Sequence, residues 1–269
     1  MSERHRPATL LGPADPVPVR VVAARSDVPL LIVCDHAGHA VPRALASLGL
    51  PEQELVRHIG WDIGAFDVAT RLALRTGAGL VASTYSRLVI DCNRYPADPM
   101  SCAEASDGTV VPGNRGLDPI ARERRVVEIF RPYHDAIESE LDRLVAAGPT
   151  PLVLSIHTMA DRIGGRSRPM HVTVCWTHDD TVARLALAAL RRLDAVVVAD
   201  NDPYAVDIGV DYTVPEHGLR RGLPVLMLEL RQDLVASIAS AQAWADRLVP
   251  VVAAVLADPQ AMAPRRVWP

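Results

Sequence analysis

The residues best suited to chemistry sit where apolar runs stop. The stretch LLIVCDHAGHAVP, residues 30–42, carries an apolar run into Asp35-His36 and then turns through Gly38 to His39. The same change recurs three times downstream. LVI runs into Asp91 and then Asn93-Arg94, LVLSI runs into His157, and VLML runs into Glu229. A charge at the end of a core strand has to be paired or bound to metal, because an isolated buried charge is costly. Two histidines at separate run ends, with carboxylates nearby and no clustered cysteines, suggest a catalytic zinc held by three protein ligands, with a position left open for water.

His36 and His157 are the natural pair of ligands, and the third must come from the nearby acids. Asp62, in HIGWDIGAFDVATRLAL, opens a strongly amphipathic helix and so has a rigid mount. The alternative for Asp62 is a charge that only complements the helix dipole. His39, three residues past His36, competes for the same place. Arg87, at the start of the run that ends in Asp91, is suited to stabilising a tetrahedral oxyanion or to serving as a solvated strand-end cation. His217, in the loop PEHGLRRG before the Glu229 run, is placed to touch a substrate. His134 lies inside a long amphipathic helix and reads as a packed or surface residue. RIGGRSR, residues 162–168, is a Gly-Arg turn that contacts an anion or is simply a loop.

These residues need a frame that brings strand ends together. The hydrophobic periodicity predicts strands near 29–35, 79–84, 87–91, 151–157, 170–177, 195–199 and 224–229. Helices are expected near 42–57, 62–77, 118–147, 179–193 and 239–257. The alternation defines an α/β chain with a three-layer build: a mostly parallel or mixed central sheet with helices on both faces. Ligands of such sheets bind beyond the carboxyl ends of the strands, where the polar residues lie. Residues 93–117 and 158–169 carry no periodicity, and loops that long are usually functional or mobile. Residues 1–20 read as a flexible lead-in and 21–269 as a single domain.

Composition removes several classes of function. All 28 basic residues are arginine, which excludes lysine Schiff bases, a phosphate-loop lysine and a Ser-Lys dyad. A net charge of −4 without a basic run gives no footprint for nucleic acid or an anionic membrane surface. No apolar run has the length of a signal core or a membrane span, so the expectation is a cytoplasmic protein. The four cysteines show no metal-binding spacing and read as buried free thiols.

DHAGHAVP, HIGWDIGAFDVA, LVIDCNR, SIHTM and LELRQDL, taken in order, resemble the N-formylglutamate amidohydrolase family over about residues 28–250. The order is also similar to that of the zinc-dependent exopeptidases. That resemblance implies a phosphorylase/hydrolase-like sheet of the zinc-exopeptidase type and one zinc ion per chain. By the same resemblance His36 and His157 are metal ligands, Asp62 is the preferred third ligand, and Glu229 is the general base. His39 stands where carboxypeptidases carry a ligating glutamate, so it remains the alternative to Asp62. The Asn93-Arg94 pair matches the pair that holds a substrate carboxylate; an arginine fork suits that task on physical grounds too. The implied activity is hydrolysis of the amide of an N-acyl, and in particular an N-formyl, amino acid, with a small-molecule substrate as partner. The alternatives are another acyl-amino acid or peptide-like amide, or a metal-free binding protein on the same fold. The sequence leaves the oligomeric state open.

Overall fold

The structure is a computed structural model that describes residues 9–25, 28–265 and 268. The chain begins with β1 (Val19–Val22) and β2 (Leu30–Cys34), then α1 (Glu52–Leu55), α2 (Ala65–Thr76) and β3 (Gly79–Ser83). A small hairpin of β4 (Ala105–Ser106) and β5 (Thr109–Val110) leads to α3 (Pro119–Arg125) and α4 (Arg131–Ala146), which are joined through a π-helical turn. Then come β6 (Leu152–Met159), the hairpin of β7 (Arg162–Ile163) and β8 (Arg166–Ser167), and β9 (Val172–Cys175). The chain closes with α5 (Thr181–Leu190), β10 (Val198–Asp200), β11 (Val225–Arg231) and α6 (Ile238–Leu256).

Seven strands form one mixed sheet in the order β1-β3-β2-β6-β11-β9-β10. The central four, β3, β2, β6 and β11, are mutually parallel. β1 runs antiparallel at one edge, and β9 runs antiparallel to β11. From β2 the chain passes through α2 to β3 on one side, then crosses back through α3 and α4 to β6 on the other. The order therefore reverses between β2 and β6, and a crevice opens at their carboxyl ends.

Strand alternation divides the core. Leu30, Ile32, Cys34, Leu154, Ile156 and Leu228 pack with α2, α5 and α6 on one face. Leu31, Val33, Val81 and Val153 meet Tyr133, Ile137 and Leu141 of α4 on the other. Helices on both faces explain why β2 reads LLIVC without a polar break. His157 and Glu229 have the parity of Val153 and Val225, so the pleat sends them away from the α2/α6 layer.

Three expectations are corrected. The apolar run at residues 87–91 is a turn-rich segment, not a strand. Leu88, Val89 and Ile90 are buried in a second core with Leu48, Leu55, Ile59 and Phe130. The Leu88 and Val89 carbonyls are satisfied without a partner strand. Asn114 Nδ2 donates to Leu88 O (2.9 Å), and the buried Arg125 donates through NH1 to Val89 O (2.7 Å). The helix expected over 42–57 breaks into a segment at Arg43–Gly49, where Ala46, Ser47 and Leu48 take left-handed φ of 45, 56 and 57°, and the short α1 beyond Pro51. Asp62 lies before α2 rather than on it, its carbonyl accepting from Ala65 N at 3.1 Å. β1 was not anticipated.

Residues 1–8 of the expected lead-in lie outside the described residues. Within the rest, the N–H groups of Leu10 and Leu11 donate to Glu128, both at 2.8 Å, and Tyr85 OH donates to Pro16 O at 2.6 Å. All four cysteines are free and buried. Among the described residues no helix is long and apolar enough to cross a membrane.

Candidate active site

Three of the expected residues meet at the β2/β6 crevice. One potential ligand atom from each of His36, Asp62 and His157 lies within 4.8 Å of the others, and all three side chains are buried. His36 follows β2 directly. Its loop presses so closely on Thr84 that a Cβ at Gly38 would come within 2.1 Å of the Thr84 carbonyl, so only glycine fits there. Asp62 is brought alongside by its own N–H, which donates to His36 O at 2.9 Å. Gly64, with φ of 80° and Val235 O hard against it, lets the chain turn from Asp62 into α2. His157 stands on β6, beside β2.

The Nδ1 atoms of both imidazoles face Asp62: His36 Nδ1 lies 3.4 Å from Oδ1 and His157 Nδ1 lies 2.8 Å from Oδ2. The outer nitrogens each face a different carboxylate. His36 Nε2 donates to Asp91 Oδ1 at 2.7 Å, and His157 Nε2 lies 3.0 Å from Asp35 Oδ2, off the line of a good hydrogen bond. Asp35 is held in turn by Tyr133 OH (2.8 Å) and Thr213 Oγ1 (2.6 Å), which both donate to its Oδ1.

The carboxylates around the imidazoles favour positive charge there. Burial alone would lower the pKa of both histidines, yet Asp35 and Asp62 hold His157 well above its ordinary value. For His36, burial and Arg87 oppose protonation, and Asp91 with Asp62 reverses them. Burial opposes ionisation of Asp35 as well, but His157 and His36 bring it down to about 2. The field that would protonate these imidazoles is also satisfied by a divalent metal. His36 Nδ1 is buried without a hydrogen-bond partner and faces Asp62. Two imidazoles and a carboxylate, with each imidazole backed by another carboxylate, form a donor set that fits such an ion.

A cavity of about 300 Å³ opens onto this cluster and is also lined by Arg87, Arg94, Arg168, Tyr204 and Glu229. Glu229 is beside His157 in the β6–β11 register, and burial raises its pKa to about 7 against the pull of His157. Arg87 is anchored by Asp91, which accepts from its NH2 at 2.7 Å and its Nε at 3.1 Å. Arg94 NH1 donates to Asp211 Oδ1 at 2.7 Å. Asn93 lines the cavity, but its side chain is engaged: Nδ2 donates to Asp211 (3.2 Å) and Oδ1 accepts from the N–H groups of Tyr212 (3.1 Å) and Thr213 (3.0 Å).

Two histidines lie elsewhere. His39 is exposed and packs against Trp61 at 4.8 Å between ring centroids, outside the cluster. His217 does not line the cavity; it is buried, with its Nε2 2.8 Å from His134 Nδ1 and the two rings stacked. The polar cavity residues that sequence reasoning missed include Asp207, Asp211, Tyr204 and His58. For Arg168 the only signal was the Gly-Arg turn at 162–168.

A mixed α/β sheet carrying a buried His-Asp-His cluster at the carboxyl ends of parallel strands defines a class: α/β proteins built around a candidate metal site. Within it the family model of N-formylglutamate amidohydrolase matches residues 28–236, and the chain belongs to that family. It is similar to the N-formylglutamate deformylase of Pseudomonas putida, 34% identical over 147 residues, covering 51% of this chain and 54% of that protein. The deformylase of Pseudomonas aeruginosa is 31% identical over 150 residues, 52% of this chain and 55% of that one. The chain spans about half the length of the curated relatives it matches. Among solved structures, a gene product of Agrobacterium tumefaciens superposes with a TM-score of 0.86 at 33% identity, over 91% of this chain and 98% of that one. The N-formylglutamate amidohydrolase of Ralstonia eutropha shares the fold, with a TM-score of 0.61 at 20% identity over 88% of this chain and 97% of its own.

Proposed function

We propose that the protein hydrolyses the amide bond of an N-acyl amino acid, with N-formylglutamate as substrate and one zinc ion per chain. The observation that carries this reading is the pair of imidazoles, each backed by its own carboxylate, turned toward Asp62 at a cavity that also holds Glu229. Family membership and the names of the curated relatives support the choice of substrate.

His36, Asp62 and His157 would hold the metal, which supplies Lewis acidity for the amide carbonyl and lowers the pKa of water. Glu229 takes a proton from the attacking water on its carboxylate and passes it to the leaving nitrogen. A carboxyl near neutrality suits both transfers. Arg87, fixed by Asp91, offers its guanidinium to the tetrahedral oxyanion. Arg94 uses the donors not taken by Asp211 to hold the α-carboxylate, and Asn93 positions it by tying residues 211–213 in place. A small soluble amino-acid derivative as substrate fits a cytoplasmic enzyme.

The test is formate release from N-formyl-L-glutamate, beside N-acetyl- and N-succinyl-L-glutamate, by protein purified without a histidine tag and analysed for metal. About one zinc per chain with release of formate supports the reading. Metal-free protein that cleaves none of the three overturns it in favour of a binding protein.

A further inference from the structure

Three guanidinium groups line the cavity, and two already have carboxylate partners: Arg87 has Asp91 and Arg94 has Asp211. Arg168 differs. It is 8% exposed, and its contacts are neutral: NH1 donates to Ala160 O at 3.2 Å, and NH2 donates to Tyr204 OH at 2.6 Å. The Tyr204 ring lies 4.9 Å from the guanidinium carbon. Among the described residues, no ion pair joins Arg168 to an acidic side chain. A guanidinium has five donors, and a buried cation without a counter-charge is costly to keep. A site that tolerates one in a ligand cavity is organised to receive an anion there.

We propose that Arg168, oriented by Tyr204, binds the side-chain carboxylate of the substrate and so sets a preference for acidic over amide side chains; this rests on the N-acyl-amino-acid reading above. The arginine is held in place at both ends of its own peptide unit. Its N–H donates to Asp161 O at 2.8 Å, and its carbonyl accepts from Arg231 NH1 at 3.0 Å. The β7–β8 hairpin that precedes it turns on Gly164 and Gly165, with φ of 53 and 79°. Ala160, which takes the Arg168 NH1 bond, lies three residues beyond His157, or about 10 Å along an extended chain. An acylglutamate spans roughly 6 Å from its acyl carbon to its side-chain carboxyl carbon, at about 1.5 Å per bond with the zigzag allowed for. Arg168 and the cluster line one cavity, and with a contact added at each end the substrate is of the same order of length as that stretch of chain. A dicarboxylate therefore meets Arg94 with one acid group and Arg168 with the other.

The experiment compares wild type, Arg168→Met, Arg168→Lys and Tyr204→Phe on N-formyl-L-glutamate and on its side-chain amide, N-formyl-L-glutamine. Turnover is paired with calorimetric binding of N-methanesulfonyl-L-glutamate and N-methanesulfonyl-L-glutamine, whose sulfonamides resist hydrolysis. Wild type should favour the acid of each pair by about 30-fold or more, as expected for a desolvated charge pair. Arg168→Met should erase that preference while leaving KM and kcat for the glutamine compound within a few-fold. Arg168→Lys should restore part of it, and Tyr204→Phe should raise KM for the acid alone, with kcat unchanged. Equal loss on both compounds, or a preference that survives Arg168→Met, overturns the proposal. If wild type cleaves neither formyl compound, the hydrolase reading fails by itself, and the sulfonamides decide this one: a preference for the acid that disappears with Arg168 supports it, and no preference overturns it.

Discussion

Glu229 stands directly across from His157, the two Cα positions paired in adjacent parallel strands. Strand register therefore fixes the distance between the proposed proton carrier and the His36-Asp62-His157 cluster, with no loop intervening. Glu229→Gln keeps the shape of the side chain and removes its capacity to accept a proton. We expect kcat to fall by about 10²-fold or more with metal content unchanged, as read by steady-state kinetics beside elemental analysis. Loss of the metal together with activity would make Glu229 part of the metal site instead.

His36→Ala and His157→Ala should each remain folded and lose metal and activity together. Asp62→Asn should weaken metal binding far more than His39→Ala, because Asp62 faces both imidazoles while His39 rests on Trp61 at the surface. Titration with a competing chelator ranks the four variants. A reversed order for Asp62 and His39 would return His39 to the ligand set.

His134 and His217 give stability an acid limit. Burial depresses His134 to about 3 and His217 to about 4, below the roughly 6.5 of the unfolded chain. The folded state thus binds fewer protons than the unfolded one between these values. The stabilisation is complete above about pH 6.5 and is lost as pH falls through that window. His217→Gln retains a hydrogen-bonding side chain beside His134 and removes one titrating group. The dependence of unfolding free energy on pH between 6.5 and 5 should flatten by up to about 1.4 kcal/mol per pH unit. Urea melts of both proteins across that range measure the difference; parallel curves would show that His217 does not titrate on unfolding.

Arg125 supports the segment that carries Arg87 and Asp91. It donates to Val89 O, to Asn114 Oδ1 (2.7 Å) and to Gly113 O (3.2 Å) from a buried position. Arg125→Leu leaves these acceptors without their donor and should cost about 3 kcal/mol or more of stability. Chemical denaturation measures it, and a loss under 1 kcal/mol would mean that the segment holds its turn unaided.

These residues also show how far the sequence could be read. The strands that carry their apolar runs up to His36 and His157 were legible because an apolar run that stops on a charge has few explanations. The run at 87–91 looked the same, but Arg125 and Asn114, remote in the chain, take the place of a neighbouring strand. Local pattern contains no trace of that substitution. Asp62 reads from the sequence as the opening residue of an amphipathic helix, although the helix begins three residues later. His217 was misplaced because its partner His134 is 83 residues away. What distinguishes Arg168 from the other arginines of its turn is burial among neutral partners, and that exists only after the chain folds.

Asp91 uses one oxygen for His36 and the other for Arg87, so a single carboxylate serves two jobs. Whatever fixes His36 also fixes Asp91, and through it the Arg87 guanidinium. On the function proposed above, metal held by His36 and the aim of Arg87 at the oxyanion would be coupled through this one carboxylate.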